Sequence, residues 1–416
     1  MVINNDEQTK KRIERVLIQA YEKVPFFNNV INCLVNDSAD ITYELLDKLP
    51  IFTKEIISRV GWMNFVSTDY LDGNNKLTNT GKIRLKQTSG TTGNPMRILW
   101  RTNDYFSSVL NHWKYRKDHF SIGPDSRMCA TSKYIPGDGV YHIHNNCLTI
   151  SIRLLDHNTI PQIMQAISTF QPDWLFIQNS VLFVLIREAK KLGLTFPKSI
   201  KYIEYMGEPL CEYYRNEIAK VISAQTSNMY GCIETNGISY ECEFGNNHII
   251  SDNVWVEIVD KDGNPTDGAG YVCVTGLHNE GMPMIRYRLN DLAYIQDTVK
   301  CPCGNQNPII NIEAARMPEY LILDDVSVCP EALMVCPING GLKVFDYHPK
   351  DIKFNIVIQS LDEYRILVFE NYNGDTHLEE IMRKLFASFG LPKVRFSVQQ
   401  SISCDDSKPV GIVRLR

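Results

Sequence analysis

Residues 159–206 read TIPQIMQAISTFQPDWLFIQNSVLFVLIREAKKLGLTFPKSIKYIEYM. Two short β-rich runs, WLFIQ at 174–178 and YIEYM at 202–206, alternate with two amphipathic stretches, TIPQIMQAISTF and VLFVLIREAKKLG. Strand and helix in turn predict parallel pairing, because parallel neighbours need a long crossover and a helix supplies it. The rhythm continues outward through RMCATS (127–132), LTISIRLL (148–155) and CEYYRNEIAKVI (211–222), with earlier β-rich runs at KIRLKQT (82–88) and MRILW (96–100). The expected fold class is α/β, with a mainly parallel, doubly wound sheet in a large multi-layer N-terminal domain.

A β-rich portion follows, NVWVEIVDKDGNP (253–265) and AGYVCVTG (269–276), with turns marked by Asp262-Gly263 and Asp267-Gly268. Toward the N-terminus, Ile13, Val16, Leu17, Ala20, Tyr21 and Val24 form one helical stripe that Pro25 is expected to end. TYELLDKL (42–49) predicts a second helix and TKEIISRV a third, with Thr53 as its cap. After Arg316 the pattern changes: FNIVIQS and YRILVFENY read as paired strands, THLEEIMRKLFASFG as a helix ending at Gly390, and KVRFSVQQ as a third strand. The chain therefore divides into an N-terminal domain over 1–316 and a small α+β C-terminal domain over 317–416.

Composition narrows the function classes. With 416 residues, 44% of them apolar and 22% charged, the chain can bury a sizeable core, which excludes disorder. A net charge of −5 gives no electrostatic reason to expect nucleic acid or an anionic membrane as partner. The most apolar stretch, Trp174 to Ile186, is interrupted by Gln178, Asn179 and Ser180, well short of the roughly 20 apolar residues of a membrane span. The charged N-terminus does not read as a signal peptide, so a cytoplasmic location is expected, and the 12 cysteines read as thiols or metal ligands before disulfides.

The strongest local feature is Thr88-Ser-Gly-Thr-Thr-Gly-Asn-Pro95, between two β-rich runs. Ser89, Gly90, Thr91, Thr92 and Gly93 combine hydroxyls, backbone N–H groups and glycines that allow close approach to phosphate oxygens. It lacks the Gly-Lys-Ser/Thr ending of a Walker loop, and composition alone fits a polar hairpin turn equally well. Further words occur in order: Tyr205-Met-Gly-Glu-Pro209, Tyr230-Gly-Cys-Ile-Glu234, Arg286-Tyr-Arg-Leu-Asn-Asp291, Ala315-Arg316 and Val328-Cys-Pro330.

Together these resemble the AMP-forming acyl-adenylating superfamily. Leu49-Pro-Ile-Phe-Thr-Lys54, Tyr240-Glu-Cys-Glu243 and Glu280-Gly-Met-Pro-Met-Ile-Arg-Tyr-Arg288 resemble its phenylacetate–CoA ligase-like branch, including the capsular-polysaccharide-associated and coenzyme F390 synthetase-like members. The resemblance implies that residues 89–93 hold the departing phosphates of ATP and that Tyr230 and Gly231 meet the adenine with Gly207, Glu208 and Pro209. It implies Glu234 as a Mg²⁺ ligand, Asp291 on the ribose, Arg316 on ribose or phosphate, and Lys408 as the lysine that neutralises charge at the α-phosphate. Catalytic weight then falls on Lys408, Glu234 and Arg316. Several positions depart from the pattern: Ile233 replaces a hydroxyl residue, Arg316-Met-Pro-Glu319 replaces an acidic pair at the hinge, and Ser407 and Pro409 flank Lys408.

Cys242, His248, Cys301 and Cys303 supply four N/S donors from two short loops, a set that suits tetrahedral structural zinc, although C-x-C is tighter than the usual spacing. Members of the resembled branch carry zinc at matching positions. Cys33, Cys129, Cys147, Cys211, Cys273, Cys336 and Cys404 fit no ligand spacing, Cys232 lies inside the tyrosine motif, and His142 and His144 share one face of a strand.

The expected activity is ATP-dependent formation of an acyl-AMP from an aromatic or otherwise small carboxylic acid, then transfer to a thiol by a mobile C-terminal domain. The acceptor stays open among coenzyme A, a carrier-protein phosphopantetheine and an amine, and a homodimer is the default assembly. Two rivals are a non-catalytic nucleotide-binding relative, favoured by Ile233 and the hinge, and a zinc-dependent hydrolase, opposed by four soft ligands that leave no open metal position.

Overall fold

The computed structural model describes residues 7–78, 80–87, 96–132, 135–137, 139–152, 159–208, 210, 212–296, 300–314, 321–323, 326–328, 353–360, 363–369, 395–400 and 412–414. Contacts divide the chain into two compact units. The first comprises Met1–Gly90, Asn94–His119 and Ser227–Arg316; the second comprises Thr91–Gly93, Phe120–Thr226 and Met317–Arg416.

In the first unit the N-terminal helix Glu7–Lys23 buries Ile13, Val16, Leu17 and Ala20, the stripe its periodicity predicts. Pro25 does more than stop it. Val24 is extended and Pro25 opens a second helix, Pro25–Asn32, because a proline at the first helical position gives up an N–H that would have no partner there anyway. Tyr43–Lys48 is a 3-10 helix, shorter than the predicted one, and burying Leu45 and Leu46 at adjacent positions suffices to anchor it. Lys54–Val60 starts after Thr53 as expected, but the Thr53 side chain makes no cap hydrogen bond. Phe26, Phe27, Phe52 and Phe65 pack as one aromatic cluster, with Phe26 and Phe65 stacked 4.2 Å apart.

The strands of this unit are antiparallel throughout. In spatial order they run Val254–Val259, Gly270–Gly276, Tyr287–Gln296, Ile309–Ala314, Asn247–Ile249, Asn236–Glu241 and Gln225–Cys232. Val254–Val259 is buried at every position, which explains its apolar texture, broken only by Glu257, whose carboxylate is paired with Arg286. Two further strands, Ile83–Gln87 and Arg97–Arg101, pair antiparallel as a separate two-stranded ribbon.

The second unit contains the parallel sheet. Cys147–Ser151, Met128–Ser132, Trp174–Ile177 and Tyr202–Met206 are parallel neighbours in that order, and Tyr141–His144 adds one antiparallel edge. Helices Ile160–Phe170, Asn179–Lys191 and Glu212–Ala219 occupy the predicted amphipathic stretches. Leu148, Ile163, Leu175, Leu182, Leu185 and Ile203 form their common core. Parallel pairing thus holds among the other four strands over 128–206, whereas the strands of the first unit pair antiparallel, so the sheet content of the chain is mixed. Near the C-terminus, Lys353–Ser360 pairs antiparallel with Glu363–Phe369, and Arg395–Gln400 runs parallel to the latter. These are the three strands read from the sequence, joined by a fourth, Ile412–Arg414. The helix predicted over 376–390 lies outside the described residues. Among the described residues no helix is long and apolar enough to cross a membrane.

Candidate active site

The hairpin formed by Gln225–Cys232 and Asn236–Glu241 carries the tyrosine motif, and its turn is tightly specified. The register shifts between Tyr230 and Gly231, and a side chain at Gly231 would lie 2.4 Å from the Asn236 carbonyl oxygen, so only glycine fits. Asn236 takes the left-handed conformation (φ 63°) and donates to Ser108 Oγ at 2.5 Å. Asn253 Nδ2 donates to the carbonyls of Thr235 (3.1 Å) and Gly237 (2.5 Å). Trp100 Nε1 donates to the Ile233 carbonyl at 3.1 Å. The turn is therefore fastened from three segments distant in sequence.

Those fastenings aim the motif at Tyr287–Gln296. Tyr230 Oη donates to Asp291 Oδ2 at 2.8 Å, and Tyr287 Oη donates to Glu234 Oε1 at 3.1 Å. Glu234 is only 6% exposed. Burial first, and the Glu234 carboxylate second, push the Tyr287 hydroxyl far above its usual range, so it remains a donor at any physiological pH. Burial likewise keeps the Cys232 thiol protonated, and with it the thiol inert as a nucleophile. Tyr287 was not among the sequence candidates. The signal was available: Tyr287, Leu289 and Asp291 share a face by the two-residue period of a strand, and a buried tyrosine needs an acceptor.

The segments at 49–54 and 280–288 meet in space. Phe52 N–H donates to the Arg286 carbonyl (3.2 Å), and Arg288 N–H donates to that of Phe52 (3.0 Å). Arg286 itself, buried and at φ 50°, gives its guanidinium to Glu257 (2.9 and 3.3 Å) and to the Leu49 carbonyl at 2.6 Å. This buried, bidentate pair fixes the entry to the strand that bears Tyr287 and Asp291.

Gly207 and Glu208 belong to the second unit. They follow Tyr202–Met206, with Gly207 exposed at φ 77° and lying beside Gln178, whose Oε1 accepts from Thr131 Oγ1 at 2.5 Å. Glu208 is half-buried. Ser89, Gly90, Thr91, Thr92, Gly93, Pro209, Arg316 and Lys408 lie outside the described residues.

Cys242, His248, Cys301 and Cys303 converge so that their ligand atoms all lie within 4.8 Å of one another. Cys242 Sγ is 3.7 Å from Cys301 Sγ, and Cys303 Sγ is 3.3 Å from His248 Nε2. A tetrahedral metal with bonds of about 2.3 Å to sulfur holds its sulfurs about 3.8 Å apart, so the spacing fits zinc. His248 is fully buried, and its Nδ1 lies 3.0 Å from the Asn307 carbonyl, which leaves Nε2 facing the sulfurs as a lone-pair donor. Burial raises the Cys301 thiol, but hydrogen bonds from the Cys303 backbone and Asn246 outweigh it and hold the group at about 6.

The AMP-binding enzyme family matches residues 85–280. The phenylacetate-coenzyme A ligase of Thermus thermophilus is 26% identical over 337 residues, covering 77% of this chain and 72% of that protein. The enzyme of the same name from Aromatoleum evansii is 28% identical over 302 residues, 70% of this chain and 67% of its own. Among solved structures, 2-hydroxyisobutyryl-CoA ligase in the postadenylation state superposes with a TM-score of 0.63 at 17% identity, covering 99% of this chain and 90% of that one. Its complex with 2-HIB-AMP and CoA in the thioesterification state gives 0.62 at 16%, over 98% and 90%. The chain thus matches the AMP-binding enzyme family over 85–280 and is similar over most of its length to AMP-forming CoA ligases, with phenylacetate–CoA ligases as its sequence relatives.

Proposed function

We propose that this ligase activates a small, aromatic carboxylic acid as its acyl-AMP and transfers the acyl group to the thiol of CoA. The names of its sequence relatives support the acid and the acceptor. The observation that carries the reading is the pair of hydrogen bonds binding the tyrosine motif to the strand of Asp291, Tyr230 to Asp291 and Tyr287 to Glu234.

In the first step a carboxylate oxygen of the acid attacks the α-phosphorus of ATP, and the bond to the bridging oxygen of pyrophosphate breaks. In the second the thiol sulfur attacks the acyl carbon, its proton is lost, and AMP leaves with both electrons of the acyl–oxygen bond. Little covalent work falls to the protein, so positioning and charge neutralisation dominate. Tyr230 offers its ring to adenine while its hydroxyl orients Asp291 for the ribose hydroxyls. Gly207 and Glu208, with Pro209, line the base, residues 89–93 hold the pyrophosphate, and Arg316 and Lys408 neutralise phosphate charge. Residues 317–416 act as a mobile domain that presents a different face in each step.

Glu234 is a buried carboxylate with one oxygen already hydrogen-bonded, a hard ligand that fits Mg²⁺, and when bound the ion supplies charge neutralisation to the phosphates. The three cysteines and His248 fit a closed zinc site that staples the loops at 242–248 and 301–307 and has no position open for catalysis.

The test is ATP–pyrophosphate exchange across a panel of aryl and short-chain acids, with wild type beside Glu234→Gln and Lys408→Ala. Exchange with an aryl acid, lost in both variants, followed by thioester formation with CoA, supports the reading. A wild type that binds ATP but exchanges with no acid refutes it.

A further inference from the structure

Recognition of CoA needs more than a thiol pocket, since the molecule carries an adenine ring, a diphosphate and a 3′-phosphate. No run of basic residues in the sequence offers a place for them. In the first unit the fold brings cations of the run KIRLKQ (82–87) onto the aromatic pair Tyr105-Phe106.

On the strand Ile83–Gln87, Arg84 and Lys86 share one face by alternation and lie opposite the buried Trp100 and Ile98. The helix Thr102–Phe120 begins directly after the partner strand and brings Tyr105 and Phe106 under the two cations. The Arg84 guanidinium carbon is 5.3 Å from the Tyr105 ring centre and 4.8 Å from that of Phe106; Lys86 Nζ is 5.0 Å from Tyr105. Both cations are thereby held on aromatic faces.

Three observations mark this as a site. First, Arg84 Nε is buried without a hydrogen-bond partner, and neither Arg84 nor Lys86 makes an ion pair among the described residues. Two carboxylates of the adjoining segments are committed to Arg101: Asp104 through two hydrogen bonds of 2.6 and 2.7 Å, and Glu280 at 2.6 Å, while Asp104 also accepts from the Glu280 N–H. Second, Phe106 is 50% exposed and Leu110, one helical turn on, 62% exposed, so an aromatic ring beside the two cations is open to solvent. Third, this local excess of positive charge stands on a chain of net charge −5. Unpaired guanidinium and ammonium groups bind phosphate, and an exposed ring stacks a base.

We propose that Arg84, Lys86, Tyr105 and Phe106 dock the phosphorylated nucleotide end of CoA, with the phosphates on the two cations and the adenine on Phe106. The proposal rests on the reading that CoA is the acceptor, and it names the part of CoA the enzyme distinguishes. A phosphopantetheine on a carrier protein lacks that nucleotide and gains nothing from the platform.

Calorimetric titration with CoA and with 3′-dephospho-CoA tests this on the full chain and needs no knowledge of the acid. Wild type is expected to bind CoA about tenfold more tightly than dephospho-CoA, the difference that one charge-assisted phosphate contact makes. Arg84→Ala and Lys86→Ala should each weaken CoA about tenfold and erase the preference, and Phe106→Ala should weaken both ligands alike. Lys117→Ala, about 16 Å further along the same helix, is the charge-matched control and should change neither. Pyrophosphate exchange with the activated acid should be unaltered in all four variants, because the first step does not involve CoA. Equal binding of the two ligands by wild type, full CoA affinity in both cation variants, or no CoA binding at all would overturn the proposal. So would a parallel fall in pyrophosphate exchange, which would assign the cations to ATP. Absence of exchange in wild type with CoA binding intact would count against the adenylation reading while leaving the platform standing.

Discussion

Gly237 lies on the second strand of the tyrosine hairpin, and the His112 ring occupies the space its side chain would fill. A Cβ built there would be 1.8 Å from His112 Cε1 and 2.2 Å from Nε2, where carbon contacts normally stop near 3.5 Å. His112 is 3% exposed and sits on the helix Thr102–Phe120, so its ring has no solvent to retreat into. Gly237→Ala must drive the ring off its rotamer or move the hairpin, and overpacking of this kind costs about 3 kcal/mol. In a body of 150–250 residues that lowers Tm by about 6–12 °C. His112→Ala vacates the ring, so the double variant should recover about 2 kcal/mol relative to the sum of the single losses. Melting curves for wild type, both single variants and the double variant read the cycle directly. A Gly237→Ala protein as stable as wild type, or a double variant whose loss equals the sum, would refute the idea that ring and hairpin compete for one space.

Other consequences follow from the same contacts. Tyr287→Phe removes the hydrogen bond from Tyr287 Oη to the buried Glu234, and pyrophosphate exchange should fall about tenfold or more in kcat/KM with the fold intact by circular dichroism. Tyr230→Phe keeps the ring but releases Asp291, so KM for ATP should rise several-fold while Tyr230→Ala raises it further. Purified protein should carry one zinc per chain by elemental analysis, with Cys301→Ser losing it and a lowered Tm, and Cys232→Ser retaining it. Burial lowers the pKa of His278, so the unfolded chain takes up protons first as pH falls through about 6.5, and stability is lost on acidification. His278→Asn should therefore lose less Tm than wild type between pH 7.5 and 5.5.

What the sequence disclosed was what local periodicity and ordered words can carry. The helix of Ile13, Val16, Leu17 and Ala20 and the parallel strands at 174–177 and 202–206 follow from spacing alone, because burial imposes the period that the sequence then displays. Pro25 misled because a proline is equally at home ending one helix and opening another, and the choice depends on whether Phe27 and Ile31 find a core. The grouping of Cys242, His248, Cys301 and Cys303 was legible because four N/S donors fall in two short loops, and the fold brings their ligand atoms within 4.8 Å of one another. The platform of Arg84, Lys86 and Phe106 was hidden, since nothing at 82–87 announces that a helix twenty residues on will pass beneath it.

The tyrosine motif shows why a word can be found correctly and still be misread. In Tyr230-Gly-Cys-Ile-Glu234 the glycine reads as part of the nucleotide contact, yet the Asn236 carbonyl, 2.4 Å from where a side chain would begin, already forbids any other residue there. The isoleucine reads as a lost hydroxyl, yet its carbonyl accepts from Trp100, a backbone bond that any side chain at 233 would permit. Two of the five letters are therefore accounted for by the hairpin, whatever the ligand. Tyr230 donates to Asp291 and Glu234 accepts from Tyr287, both on the strand Tyr287–Gln296. It follows that Ile233 is weak evidence against activity, because the atom of residue 233 that holds the turn in place belongs to the backbone, while the proposed chemistry calls on Tyr230 and Glu234, the two side chains that the turn aims.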